Sequence, residues 1–180
     1  MDMPDNRISS VDPDFSREKI EKGKYQPEKR LLHTIRLYQV YKERKGIFSL
    51  LLSKITVVRY RFWSAVCGAD IPLDTTIGYG LLIPHPNGIV IHPDTVIGPN
   101  CLILQQVTLG TRGPGSGAPV LEGHVDIGAG AKVLGGVHLG AHCKVGANSV
   151  VVCDVPGGAT AVGVPARIIR STGSSDPNSP

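Results

Sequence analysis

The sequence predicts a mainly β protein: a parallel coil of six-residue β segments, with a short α-helical segment in front of it. Three observations carry that prediction. Aliphatic residues recur every six positions over most of the stretch from Ile71 to Val151. A small residue stands two positions before many of them, and a glycine directly follows Ile77, Ile97, Leu109, Ile127, Leu139 and Val145. Ahead of Cys67, by contrast, the apolar residues keep the three- and four-residue steps of a helix.

Residues 1–28 are polar and broken by Pro4, Pro13, Gly23 and Pro27, which reads as a mobile arm with a short helix over Ser16–Lys22. An α-helical segment follows over residues 29–68. Its first half brings Leu31, Ile35, Tyr38 and Tyr41 together on one face, and Gly46 interrupts it. Its second half aligns Ile47, Leu51, Ile55, Val58, Phe62 and Ala65 in a stripe that is expected to pack on the rest of the protein. Lys54, Arg59 and Arg61 argue against a membrane span, where a central charge costs roughly 2.5–3.5 kcal/mol. Contact of residues 47–66 with a membrane surface is the less favoured alternative.

The coil occupies residues 69–165. Its aliphatic series runs Ile71, Ile77, Ile83, then Ile91, Ile97, Ile103, Leu109, then Leu121, Ile127, Val133, Leu139, Val145 and Val151. Three such segments make one triangular turn, and turns stack as parallel strands about 4.8 Å apart. The aliphatic side chain fills the interior. Beside it points the small residue, as at Thr75, Thr95, Cys101, Val107, Val125, Ala131, Cys143 and Ser149. The glycine is expected to take a positive φ at the corner.

Two interruptions break the phase: a two-residue slip at Pro84–Gly88, and residues 111–119 (TRGPGSGAP), which must leave the coil as a loop in the place of one hexapeptide. Regular stacking gains nothing from either, and loops on a rigid scaffold are where sites gather. Residues 166–180 are expected as a C-terminal tail.

The composition excludes several functions. With 19 Lys+Arg against 15 Asp+Glu the net charge is only +4, and no basic run with interleaved aromatics points to nucleic acid. The four cysteines form no C-x-x-C pair, and the start MDMPDNR has no apolar signal core, so a cytoplasmic protein with reduced thiols is expected.

The segments ADIPLDTTIG, IPHPNGIVI, LILQQVTLG, DIGAGAKVLGG and VGVPARIIR together resemble the serine acetyltransferase family, over roughly residues 47–170. The resemblance implies a left-handed parallel β-helix, assembly as a homotrimer, acetyl-CoA held between subunits as co-substrate, no metal, and transfer of acetyl to L-serine in cysteine biosynthesis. His85 matches the family's general base and Asp70 the carboxylate that orients it. Such a pair suits the reaction, because a hydroxyl attacks a thioester only as its proton is removed, and an imidazole titrates near neutrality. Resemblance also points to Gly110, Ala129, Lys144 and Arg167 for acetyl-CoA.

The sequence departs from the family at the acceptor. Pro84 replaces the acid before the catalytic histidine, and Gly117-Ala118-Pro119-Val120 replaces the stretch that holds the substrate carboxylate. Arg112 is the residue left in the loop to meet an acceptor. Related short proteins acetylate sugar hydroxyls in exopolysaccharide pathways, which is the alternative acceptor. Two further readings are a three-histidine zinc site, using His138 and His142 with His92 or His124, and a non-enzymatic scaffold.

Overall fold

The structure is a computed structural model that describes residues 8–44 and 46–171. Residues 1–7 of the expected arm and 172–180 of the expected tail lie outside the described residues.

Helix α1 (Pro27–Glu43) starts on Pro27, whose fixed φ suits a first turn, and buries Leu31, Leu32, Thr34 and Ile35. Helix α2 (Ile47–Cys67) packs against α1 and ends on Gly68, which takes the left-handed conformation at φ 60°. The face that α2 turns inward corrects the sequence reading. Its buried residues are Ser49, Thr56 and Cys67, whereas the expected packing stripe is exposed: Ile47 80 %, Leu51 57 %, Ile55 49 %, Val58 69 % and Phe62 59 %.

The strands follow as β1 (Thr76–Ile77), β2 (Val90–Ile91), β3 (Val96–Ile97), β4 (Leu102–Ile103), β5 (Thr108–Gly110) and β6 (Val120–Leu121). Then come β7 (Asp126–Ile127), β8 (Lys132–Leu134), β9 (His138–Leu139), β10 (Lys144–Val145), β11 (Val150–Val151), β12 (Ala159–Gly163) and β13 (Ala166–Ser171). They form three sheets, ordered β1-β3-β6-β9, β4-β7-β10-β12-β13 and β2-β5-β8-β11. From β5 to β11 the chain visits the three sheets in rotation, and each new strand pairs in parallel with the one a full turn earlier. The series aliphatics from Ile83 to Val151 are at most 3 % exposed, and Thr75, Thr95, Cys101, Ala131, Cys143 and Ser149 fill the inward slots beside the series.

The interruptions act on corners, not on sides. In an undisturbed turn Leu121 pairs with Leu139, eighteen residues on; across the slip Ile77 pairs with Ile97, and across the loop Ile97 pairs with Leu121. The slip therefore adds two residues and the loop six. The loop joins β5 to β6 on adjacent sheets, so it is an insertion at a corner and does not take the place of a side.

The expected role of the glycines also changes. The positive φ falls three residues after the aliphatic, at Gly80, Asn100, Gln106, His124, Gly130, His142 and Asn148. The glycine directly after the aliphatic is there for space: a Cβ on Gly98 would lie 2.6 Å from the Glu122 carbonyl carbon in the next turn.

The described parts of the arm and of the expected tail are tied to the coil more closely than the sequence suggested. Phe15–Glu18 form a 3₁₀ turn, short of the helix expected over Ser16–Lys22. Buried Asn100 donates to the carbonyls of Ser9 (2.7 Å) and Asp12 (2.8 Å), and its Oδ1 accepts from the Asp14 amide (2.8 Å). Glu18 pairs with Arg36 at 2.9 Å and accepts from the Gly80 amide. At the other end, β13 opens the expected tail as a strand, antiparallel to β12.

Asn100→Ala removes three buried hydrogen bonds at a left-handed position. It is expected to cost at least about 2 kcal/mol and to speed proteolysis within residues 8–26. Digestion at the wild-type rate would show that the arm is held otherwise.

Candidate active site

The slip forms the corner between Leu82, which bridges Leu102 in the second sheet, and β2 in the third. The extra residues run beside the end of α2: the Gly88 amide donates to the Gly68 carbonyl (2.7 Å), and a Cβ on Gly68 would collide with the Asn87 side chain. Asp70 begins the coil. Its amide donates to Ile89 O (2.8 Å), its carbonyl accepts from Ile91 N (2.9 Å), and it bridges Val90 in parallel.

This register fixes where the two predicted catalytic residues stand. Asp70 sits one turn below Val90, and His85 lies in the corner five residues before Val90. Both are exposed, and neither side chain makes a hydrogen bond to the described residues. The structure thus leaves two titratable side chains open to solvent beside the slip corner.

Tyr60, which the sequence reading passed over, belongs to this corner. Its hydroxyl donates to Ile71 O (2.9 Å), and burial together with the Asp70 charge raises its pKa. Its only signal in the sequence is its place on α2 opposite the apolar stripe.

The second interruption holds Arg112. Ser116 organises the loop: its Oγ accepts from the amides of Arg112 (2.8 Å) and Gly113 (3.2 Å), and its carbonyl accepts from Gly136 N (2.6 Å). The loop lies back on the Gly135-Gly136 corner, where a Cβ on Gly135 would come within 2.7 Å of Arg112 Nε. Between the loop and the corner after β2 is an open cleft of about 480 Å³, lined by His92, Asp94, Thr111, Gly113, Pro114, Gly115 and Gly117. His92 Nδ1 accepts from the Asp94 amide (3.2 Å). The sequence marked His92 only as a surface or zinc histidine, because nothing in the repeat announces that the loop folds beside it.

The four residues predicted for acetyl-CoA do not meet in one cleft of the chain. Gly110 ends β5 on the third sheet; Ala129 turns the corner after β7; Lys144 is on β10 of the second sheet, 3.8 Å from Asp126; Arg167 is on β13 at that sheet's edge. Gly110 is nevertheless distinctive. A Cβ there would meet only Thr108 Cγ2 at 3.6 Å and Leu134 Cδ2 at 3.8 Å, which is ordinary contact. Packing within this chain demands glycine at Gly78, Gly98 and Gly128 but not at Gly110.

Other reactive groups have structural surroundings. Burial pushes the thiols of Cys101 and Cys143 up to about 11 and about 12, so neither supplies a thiolate near neutral pH. The histidines considered for zinc separate: His124 and His142 approach Nδ1 to Nδ1 at 2.7 Å, while His138 stands 3.4 Å from Glu122. Burial, before any neighbouring charge, holds His124 below its ordinary pKa. Among the described residues no group of three or more metal-ligating side chains is assembled.

No family model matches the chain. It is 39 % identical over 136 residues to a serine acetyltransferase of Synechococcus elongatus, covering 74 % of this chain and 53 % of that protein. It is 46 % identical over 111 residues to one of Salmonella typhimurium, covering 61 % and 41 %. The chain thus spans about half the length of the curated relatives it matches. Among solved structures it is similar to the serine acetyltransferase of Brucella abortus in complex with coenzyme A, at TM-score 0.71 and 34 % identity over 84 % of this chain and 59 % of that one. It is also similar to the soybean enzyme complexed with serine, at TM-score 0.68 and 34 % identity over 79 % and 57 %.

Proposed function

We propose that the chain is a member of the serine acetyltransferase family and moves the acetyl group of acetyl-CoA to the hydroxyl of a small acceptor, L-serine by kinship, in cysteine biosynthesis. The observation that carries this reading is identity of 39–46 % to curated serine acetyltransferases, over 136 and 111 residues, together with similarity to structures that hold coenzyme A and serine. In the same reading the coil is left-handed, the protein is a cytoplasmic homotrimer, and the site forms where two protomers meet. A shared site accounts for the separation of Gly110, Ala129, Lys144 and Arg167 around a single chain.

His85 takes the acceptor's hydroxyl proton as its oxygen attacks the thioester carbonyl. The tetrahedral intermediate collapses, the C–S bond breaks as the acetyl ester forms, and the coenzyme leaves as a thiolate that takes the proton from the His85 imidazolium. Asp70 orients the imidazole and stabilises its charged form. The bare backbone at Gly110 lets the pantetheine arm lie close, Ala129 flanks it, and Lys144 and Arg167 face the phosphates. No acyl-enzyme is required, in keeping with the buried thiols.

A second acceptor, a sugar hydroxyl, is favoured by one observation. Pro84 and the stretch Gly117-Ala118-Pro119-Val120 carry no charge where the family holds the ammonium and carboxylate of serine. Leaving both charges of an amino acid unpaired in a closed site costs several kcal/mol; Arg112 offsets at most one of them.

The test is coenzyme A release by the full chain with L-serine, homoserine or a panel of sugars. Release with serine well above the acceptor-free rate is expected. Release confined to sugars moves the assignment to the second acceptor, and no release with any of them overturns the acetyltransferase reading.

A further inference from the structure

The helix that leads into the slip corner carries apolar side chains on both of its faces. Its packed side is Ser49, Thr56 and Cys67 with the partly buried Tyr60 and Trp63, and its outward side is Ile47, Leu51, Ile55, Val58 and Phe62, with Phe48 80 % exposed beside them. A soluble surface helix turns a polar face outward, so the outward face is built to be covered.

Charge identifies the cover. From Arg44 to Ala69 the sequence holds Arg44, Lys45, Lys54, Arg59 and Arg61 and not one Asp or Glu. At about 100° per residue, Lys54 and Arg61 fall on one edge of the apolar face and Arg59 on the other. All three are exposed, and none has an acidic partner among the described residues. Apolar side chains in the middle with long cations along both margins is the arrangement of a helix lying in a bilayer interface, its stems along the acyl boundary and its charges at the headgroups. Against α2 of a second copy, the same margins would bring cations together with no acid on the helix to compensate them.

We propose that α2 docks this protein on an anionic membrane surface, lying in the interface. No helix among the described residues is long and apolar enough to cross a membrane, which fits a surface contact. Docked in this way, α2 lies between the bilayer and the coil, with the corner of Tyr60, Asp70 and His85 on its side away from the lipid.

The test is flotation of the full chain with vesicles of phosphatidylcholine alone or mixed with phosphatidylglycerol, which reads binding without reading turnover. The wild type is expected to float with the mixed vesicles and not with the neutral ones. Phe48→Asp/Phe62→Asp is expected to abolish flotation while circular dichroism stays unchanged, since both side chains are exposed. Lys54→Gln/Arg59→Gln/Arg61→Gln should reduce the bound fraction more than tenfold. Absence of wild-type flotation, or flotation that ignores these substitutions, overturns the proposal. So does a drop in oligomer size in Phe48→Asp/Phe62→Asp, which would assign the stripe to a neighbouring protomer.

Discussion

Alanine at position 85 is expected to lower acetyl transfer by roughly 10²–10⁴-fold, the usual contribution of a general base, while acetyl-CoA binding and thermal stability stay at wild-type values. The separation of these readouts follows from the site. His85 is exposed and makes no hydrogen bond to the described residues, so its ring supports no packing that alanine would lose. The predicted coenzyme contacts, at Gly110, Ala129, Lys144 and Arg167, stand on later turns and strands. Asp70→Asn should lower turnover less, because the Asp70 backbone bridge to Val90 survives the change and only the orientation and charge stabilisation of the imidazole weaken. Turnover on the best acceptor and calorimetric titration of acetyl-CoA check both variants. Near-normal turnover in His85→Ala would remove the imidazole from the mechanism.

The coil was legible because its code is local. One large aliphatic per side must face a dry interior, and the phase of Ile91, Ile97, Ile103 and Leu109 records that demand directly in the chain. What the phase cannot record is contact between turns. The glycine after each aliphatic reads as a corner residue until the neighbouring turn shows that a Cβ on Gly98 has no room beside Glu122. Asn100 reads as an ordinary turn residue until the arm arrives to be bound by it.

The stripe on α2 misled for a related reason. Helical period reports that a face is apolar, not which surface covers it, so Ile47, Leu51 and Phe62 were expected inside and stand outside. The candidate site is marked in the sequence by its interruptions alone. The slip and the loop mark His85 and Arg112, but Tyr60 and His92 join them through tertiary approach that no motif announces.

Ile127→Ala is expected to destabilise the protein by about 2–5 kcal/mol, the range for deleting most of a buried aliphatic side chain. Ile127 is 1 % exposed and stands in register between Ile103 below and Val145 above, with Val125 in the slot beside it. The interior has no second layer that could slide into the vacated space. Each turn is held by the backbone ladder to its two neighbours, so the cavity remains and its lining loses contacts outright. A coil contacts only the turns above and below; a defect at Ile127 therefore weakens both interfaces of a middle turn and cannot be confined to an end. Val96→Ala supplies the contrast. Val96 is 37 % exposed on the outer face of β3, and its change should stay within about 0.5 kcal/mol. Chemical denaturation of the two variants measures the difference. A loss below about 1 kcal/mol at Ile127 would mean that the interior aliphatics are not what holds the turns together.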